Sequence, residues 1–452
     1  MSRAARRVPA MAVVAASFTG AAASLNPVAL VGILGGAVMV VAVVRRPWIA
    51  VATVLAVEGF ALAFLLAGVD TSLLHYATSA LAAIGAVISL SRSRSESAHA
   101  AMLATVVGMV VVFGAFASWL SAMPNEQIVA ALRLVLTPAL CAVIGRSATT
   151  EQARAMLKLA TVLVVSSALA AVVERRQGID RLVNLGLEYG TTVRSYDGLL
   201  RAPGLFATNY SMGAFAGVVG ALALAWWPAV AGNGDRRWRQ VALVASAACL
   251  ILSIYRTGML VLVFTASVLL FMADRGQKAG ERRLLRLAGG SIFVAYVAYS
   301  GLLSTESTDD RFLVWSSILR NFETPLTGNG LGFSGSASVS RFAETVIVVD
   351  NYYLSLFLQL GVFSLALFLP MGWIAVRMLV RASAQPLLRA GIVVTGCLVA
   401  FAFVDFWEYT SAMSLALFAG AAARNLADRT PSMDCGYARV SAPPTGAGSV
   451  PS

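Results

Sequence analysis

Apolar runs of roughly 20 residues recur along the whole chain between short polar breaks, each long enough to cross a bilayer as a helix. They fall near 9–25, 28–44, 48–67, 71–90, 100–122, 127–145, 153–173, 209–231, 240–255, 257–273, 287–303, 351–374, 389–405 and 408–424. The pattern predicts an all-α fold, a polytopic transmembrane helical bundle of about 12–14 spans. The first run follows a basic start, MSRAARR, and resembles a signal peptide; because a second run follows at once, an uncleaved first helix is expected. Two breaks are long, 174–208 and 304–350. The residues from 426 to 452 are rich in Ser, Pro and Gly, which predicts a disordered cytoplasmic tail after one membrane domain, 1–425.

Composition agrees with this pattern. Of 452 residues, 58% are hydrophobic and only 12% charged, and the mean hydropathy is +0.78. A soluble domain has no interior large enough for that much apolar surface. The formal charge of +12 reads as topology rather than nucleic-acid binding. With the N-terminus inside, most Lys and Arg fall on the inner side, as the positive-inside rule requires. The basic residues left outside are all arginine, from Arg175 to Arg341, and include Arg194, Arg201, Arg256 and Arg311. Cys141, Cys249, Cys397 and Cys435 have no metal or disulfide spacing, and His75 and His99 are too few and too far apart for a metal site.

The longer break holds the most distinctive chemistry. Asp309-Asp310-Arg311 opens a short amphipathic helix with Phe312, Trp315 and Leu319 on one face. Pro325 and Gly328-Asn329-Gly330 then turn the chain, because proline lacks an amide donor and Gly and Asn tolerate positive φ. The chain re-enters the membrane at Asp350-Asn351-Tyr352-Tyr353. A loop of this length without repeats is usually functional. The shorter break ends in Arg201-Ala-Pro203-Gly204-Leu-Phe206, a turn that holds Arg201 near the membrane surface. Arg256 sits in Ser253-Ile-Tyr255-Arg256-Thr257-Gly258 between two apolar runs, so its guanidinium is pinned at the outer face. Glu58 and Arg133 are intramembrane charges, which either carry function or pair within the bundle. Asp405, Glu408 and Tyr409 form another short outer turn.

Taken in order, Arg311, Trp315, Pro325, Gly328-Asn329-Gly330, Asp350-Asn351, Tyr353-Leu354 and Gly361 resemble the extracytoplasmic loop signature of the O-antigen ligase and O-antigen polymerase family. The Arg201 run and the Tyr255-Arg256-Thr257-Gly258 element resemble further motifs of that family, with Tyr255 where the family has Ser. The resemblance covers roughly residues 195–375. It implies a metal-independent, inverting glycosyltransferase without a cofactor, in the bacterial plasma membrane with both termini cytoplasmic. Its donor is an undecaprenyl-diphosphate-linked glycan, its acceptor a sugar hydroxyl of a second glycan, and its third partner the lipid bilayer.

The residue types suit that chemistry. Breaking a sugar–phosphate bond builds negative charge on the diphosphate, and arginine binds phosphate through a planar fork that stays protonated. Arg201, Arg256 and Arg311 are the expected diphosphate ligands, with Arg256 and Arg311 also acting in catalysis. Asp350 stands where ligases of the family carry His. It is either the base that takes the acceptor proton or the N-cap of the following helix, and the change favours a polymerase or a ligase with another acceptor. Trp315, Asn351 and Tyr353 are the expected sugar or lipid contacts; Trp315 and the tyrosines also suit an interfacial belt. Asp309-Asp310 suits either a helix cap or a cation. Two other classes stay open: a lipid-linked glycan transporter, which would show interrupted helices and mid-membrane charge, and a peptidoglycan polymerase of the SEDS type, whose loop motifs are not found.

Overall fold

A computed structural model of the chain describes residues 27–69, 71–92, 108, 111–121, 124–190, 192–196, 198–231, 235–272, 287, 290, 291, 294, 306–320, 322–335 and 349–429. The runs at 9–25 and 287–303 and Cys435 therefore lie outside the described residues in whole or large part. What is described is almost wholly helical. The helices are α1 (Pro27–Arg45), α2 (Trp48–Gly59), α3 (Ala61–Leu66), α4 (Thr71–Arg92), α5 (Val111–Leu120), α6 (Asn125–Gly145), α7 (Thr150–Gln177) and α8 (Ile179–Asn184). After a two-stranded hairpin come α9 (Asn209–Ala225), α10 (Trp227–Ala231), α11 (Arg236–Ser253), α12 (Arg256–Met272), α13 (Glu306–Arg320), α14 (Tyr352–Leu360), α15 (Leu365–Ala382), α16 (Ala390–Ala400) and α17 (Thr410–Arg429).

By length and composition, α4, α6, α7 and the stretch Tyr352–Ala382 can each cross a membrane. Large apolar side chains face outward on these and other helices, among them Val87, Leu169, Val244 and Leu369, all more than 60% exposed. That surface fits a protein solvated by lipid.

The core is built around α9, which is buried on all sides, as a helix apolar all round must be. Small residues bring it close to its neighbours. A Cβ on Gly217 would run into the backbone of Gly258 in α12, and one on Gly258 into the backbone of Gly213. This small-residue crossing fixes the first turn of α12, and Arg256 with it.

Four expectations need correction. The run 48–67 is two helices, α2 and α3, parted at Phe60. The run 351–374 is not continuous either. It breaks into α14, a 3-10 turn over Gly361–Ser364, and α15, because the chain at Pro325–Leu326 packs against Gly361. The Val362 amide donates to Pro325 O at 3.0 Å, and a Cβ on Gly361 (φ 57°) would meet the Leu326 and Pro325 carbonyls. Residues 426–429, expected in the tail, are helical, since α17 runs to Arg429, and 430–452 lie outside the described residues. The shorter break is also not all loop: α7 runs to Gln177, and a β-hairpin follows α8.

Within the longer break, residues 322–335 pack into the bundle rather than lying over it. The Asn329 and Gly330 amides donate to Leu358 O and Gln359 O, both at 2.9 Å. The Leu331 amide donates to Ser118 Oγ (2.8 Å), and Gln127 Nε2 donates to Gly332 O (2.6 Å). Leu331 and Ser334 are fully buried. Irregular backbone is tolerated among apolar helices only when its polar groups are satisfied in this way.

Candidate functional site

The hairpin pairs β1 (Arg194–Tyr196) with β2 (Leu199–Arg201), Arg194 opposite Arg201. Leu200 anchors it in a small apolar cluster with Leu62, Leu182, Leu187 and Val193. Two ties set its position. The Ala202 amide donates to Leu252 O near the end of α11 (3.2 Å), and the Gly204 amide donates to Glu174 Oε2 near the end of α7 (2.9 Å). An acidic side chain in the last turn of a helix is disfavoured by the helix dipole unless a donor meets it, and Gly204 supplies that donor. Glu174 was missed in the sequence, where its place in an apolar helix ahead of Arg175 and Arg176 was the available signal.

The tie to Leu252 explains why two sequence-distant arginines meet. After Ser253 the chain turns at Ile254, whose φ of 51° is left-handed. For a β-branched residue this is a strained conformation of the kind that clusters at functional sites. The turn presents Tyr255 and Arg256 beside the hairpin. The Arg201 guanidinium lies 5.1 Å from the centre of the Tyr196 ring and that of Arg256 lies 5.8 Å from it. Arg256 Nη2 also donates to Tyr196 Oη at 3.4 Å. Arg194 stacks on Tyr210 (4.7 Å) and donates to its hydroxyl at 2.7 Å.

From Tyr210 a row of rings runs inward. Tyr210 and Tyr255 are 5.3 Å apart between centres, and Tyr255 meets Tyr409 edge-on at 5.8 Å. The row ends at three carboxylates. Burial, and then the charges of Glu408 and Asp350, hold the Asp405 carboxyl well above the ordinary carboxylate range. Burial also raises the Tyr255 hydroxyl, with the charge of Asp350 adding to the shift. Asp350, Asp405, Glu408 and Tyr255 therefore share one electrostatic site. Gly335 of the inserted loop closes it, since a Cβ there would strike Glu408 Oε1. Among the buried polar atoms at this end, Arg201 Nε and Asp405 Oδ1 have no hydrogen-bond partner among the described residues, which leaves each able to meet a ligand.

The other expected site residues divide clearly. Asn351, not Asp350, caps α14: its Oδ1 accepts from the Leu354 amide at 3.1 Å. Tyr353 donates to Leu398 O at 2.7 Å and packs on Phe368 and Phe401, so it serves the bundle interior. Arg311 and Trp315 lie one turn apart on α13, with Trp315 half-buried. The intramembrane Glu58 pairs with His75 at 3.0 Å, and Arg133 stacks on Tyr76 at 5.8 Å. Among the described residues no three His, Cys, Asp or Glu side chains gather as metal ligands do.

Sequence reasoning also missed Tyr196 and Tyr210, the platforms for the arginines, and only the nearby clusters of outer arginines hinted at them. A scan against known protein families finds no match to the chain, and a search of curated proteins finds none.

Proposed function

We propose that the hairpin end of the bundle is the active site of a membrane glycosyltransferase of the O-antigen ligase or polymerase kind. It would move a glycan from an undecaprenyl-diphosphate carrier to a sugar hydroxyl at the outer face of a bacterial plasma membrane. The observation that carries this reading is the meeting of Arg201 and Arg256 on Tyr196, beside a tyrosine row that ends at Asp350, Asp405 and Glu408.

In the proposed reaction the acceptor oxygen attacks the anomeric carbon and the bond from that carbon to the phosphate oxygen breaks. The bonding electron pair leaves with the diphosphate, and the acceptor proton passes to a carboxylate. Arg201 and Arg256, with Arg311 as a third ligand, stabilise the charge that grows on the leaving diphosphate. Each charge-assisted hydrogen bond of this kind contributes about 1.5–3 kcal/mol. Asp350 is the base in this reading, because the cap role is filled by Asn351. Asp405, whose raised pKa favours its protonated form, stands in the same charge cluster.

The test uses purified protein in nanodiscs, given an undecaprenyl-diphosphate oligosaccharide and followed by mass spectrometry. A ladder of longer lipid-linked glycans identifies a polymerase. Reaction only after a second glycan acceptor is added identifies a ligase. Transfer that is absent with every acceptor, or that persists in both Arg201→Ala and Arg256→Ala, overturns the proposal.

One observation favours a transporter as the second reading: the break between α14 and α15, where an irregular loop fills a gap in an apolar stretch. Movement of the intact lipid-linked glycan across a vesicle membrane, with no new glycosidic bond, would select it.

A further inference from the structure

The bundle has a second arginine-rich feature, at the opposite end of α6 and α17 from the site above. There α1, α4, α6, α15 and α17 leave a cavity of about 640 Å³. Arg45, Arg46, Arg92, Arg146, Arg424 and Arg429 line it, and Asp428 is the one carboxylate in its lining. The opposite wall is apolar. Met371, Ile374 and Met378 repeat at helical spacing along one face of α15, and Leu417 faces the same space from α17.

The arginines at helix C-termini, Arg45, Arg92 and Arg429, complement the helix dipoles. Topology alone would let such side chains fan into solvent, but Arg92, though exposed, is tied to a neighbouring helix end. Arg92 donates to Val44 O (2.7 Å) and Arg45 O (3.2 Å), which joins the end of α4 to the end of α1 and closes one wall. Arg146 and Arg424 are half-buried close to each other. Burial, and then the charge of Arg424, push the Arg146 guanidinium below its ordinary pKa. Asp428, 3.9 Å from Arg424, offsets part of this charge, but one carboxylate among six arginines leaves the cavity lining strongly positive and suited to an anion.

The cavity falls in the size range of small-molecule sites, about 300–1,000 Å³, far more than a lone anion needs. Its apolar wall continues onto the outward surface of α15, where Leu369, Trp373 and Val380 are exposed. Arg377 stacks on Trp373 at 4.4 Å, the pairing of ring and cation expected where a helix passes through a headgroup layer. A ligand for this place needs a compact anionic head and an apolar tail.

We propose that the cavity binds an anionic phospholipid, with its phosphate between Arg146 and Arg424 and an acyl chain along Met371, Ile374 and Met378. Arginine forks suit a phosphodiester, which they grip at two oxygens. The site is separate from the glycan chemistry and stands or falls without it.

The experiment takes full-length protein, stripped of lipid in neutral detergent, and titrates it with phosphatidylglycerol, phosphatidylcholine or inorganic phosphate. Retained lipid is read by native mass spectrometry and stability by thermal melting. Phosphatidylglycerol should be retained and raise Tm, and phosphatidylcholine should do neither. Inorganic phosphate that matches phosphatidylglycerol would overturn the lipid assignment. In the double variant Arg146→Gln/Arg424→Gln, affinity for phosphatidylglycerol should fall about thirtyfold, or about 2 kcal/mol. Should that variant not fold, Arg45→Gln/Arg46→Gln, at two exposed rim positions, should weaken retention in the same direction. Equal retention of the two lipids, or unchanged phosphatidylglycerol binding in the folded variants, would refute the site.

Discussion

The two ends of the bundle both concentrate arginine, yet they hold it in different company. At the hairpin end Arg194, Arg201 and Arg256 lie on tyrosine rings, and the ring row leads from Tyr210 to Asp350, Asp405 and Glu408. At the other end six arginines share a cavity with a single carboxylate and an apolar wall. Where cations sit next to carboxylates and hydroxyls, the cations can stabilise a leaving anion and a carboxylate can accept a proton, which transfer chemistry requires. Cations beside methionine and leucine, with a single carboxylate near, suit an anion that carries an apolar tail. On the two proposals the same residue type would serve a reaction centre at one end and a binding site at the other, and its neighbours would make the difference.

That contrast can be broken experimentally. The largest effect is expected from Asp350→Asn, which removes a base but no helix cap. Turnover should fall by about 10²–10⁴ with Tm unchanged. Retained turnover would move the base to Asp405 or Glu408. Arg256→Ala should follow, with a loss of about 10²–10³ in rate, whereas Arg45→Gln at the other end should leave turnover intact. A comparable loss at Arg45 would erase the distinction between the ends.

Next comes the scaffold. Gly258→Val sets a side chain against the Gly213 backbone. It should destabilise by about 1–3 kcal/mol as overpacking does, and move Arg256 with the first turn of α12, so both Tm and rate should fall. Asn351→Ala loses the α14 cap and should lower stability by about 0.5–2 kcal/mol, while activity per folded molecule persists. A loss of rate without a loss of stability would return Asn351 to the list of substrate contacts.

The smallest effect concerns pH. The folded protein raises the Asp405 pKa above its ordinary 3.8, so it favours the protonated carboxyl. The contribution to stability is full below the ordinary value and is lost as pH rises through the raised one. Asp405→Asn should therefore melt higher than the unmodified protein at alkaline pH and converge with it in acid. Parallel melting curves across that range would show that Asp405 is not held in this environment.

Hydropathy made most of the described helices legible: the runs at 71–90 and 127–145 became Thr71–Arg92 and Asn125–Gly145. It failed where tertiary contacts override local pattern. Nothing near Gly361 announces that Pro325 and Leu326 will press on it, so the break after α14 could not be read from the apolar run alone. Phe60 parts α2 and α3 directly after Glu58-Gly59, a charged and a flexible residue inside the run 48–67. In the site, Arg201 and Arg256 stood out as outer arginines, but their meeting depends on the backbone tie from Ala202 to Leu252, 50 residues apart in sequence. Asp350 and Asn351 are both good caps and adjacent, and only the geometry assigns the role to Asn351.

In the proposed reaction Arg201 and Arg256 together bind the diphosphate of a lipid-linked glycan. The most direct measurement is glycan transfer from an undecaprenyl-diphosphate oligosaccharide in nanodiscs by the unmodified protein, Arg201→Ala, Arg256→Ala and the double variant, with Tm recorded for each. Each single change should remove nearly all product at unchanged Tm, and the double change should add little, because the two guanidinium groups act on one leaving group. Full product from both single variants would contradict it.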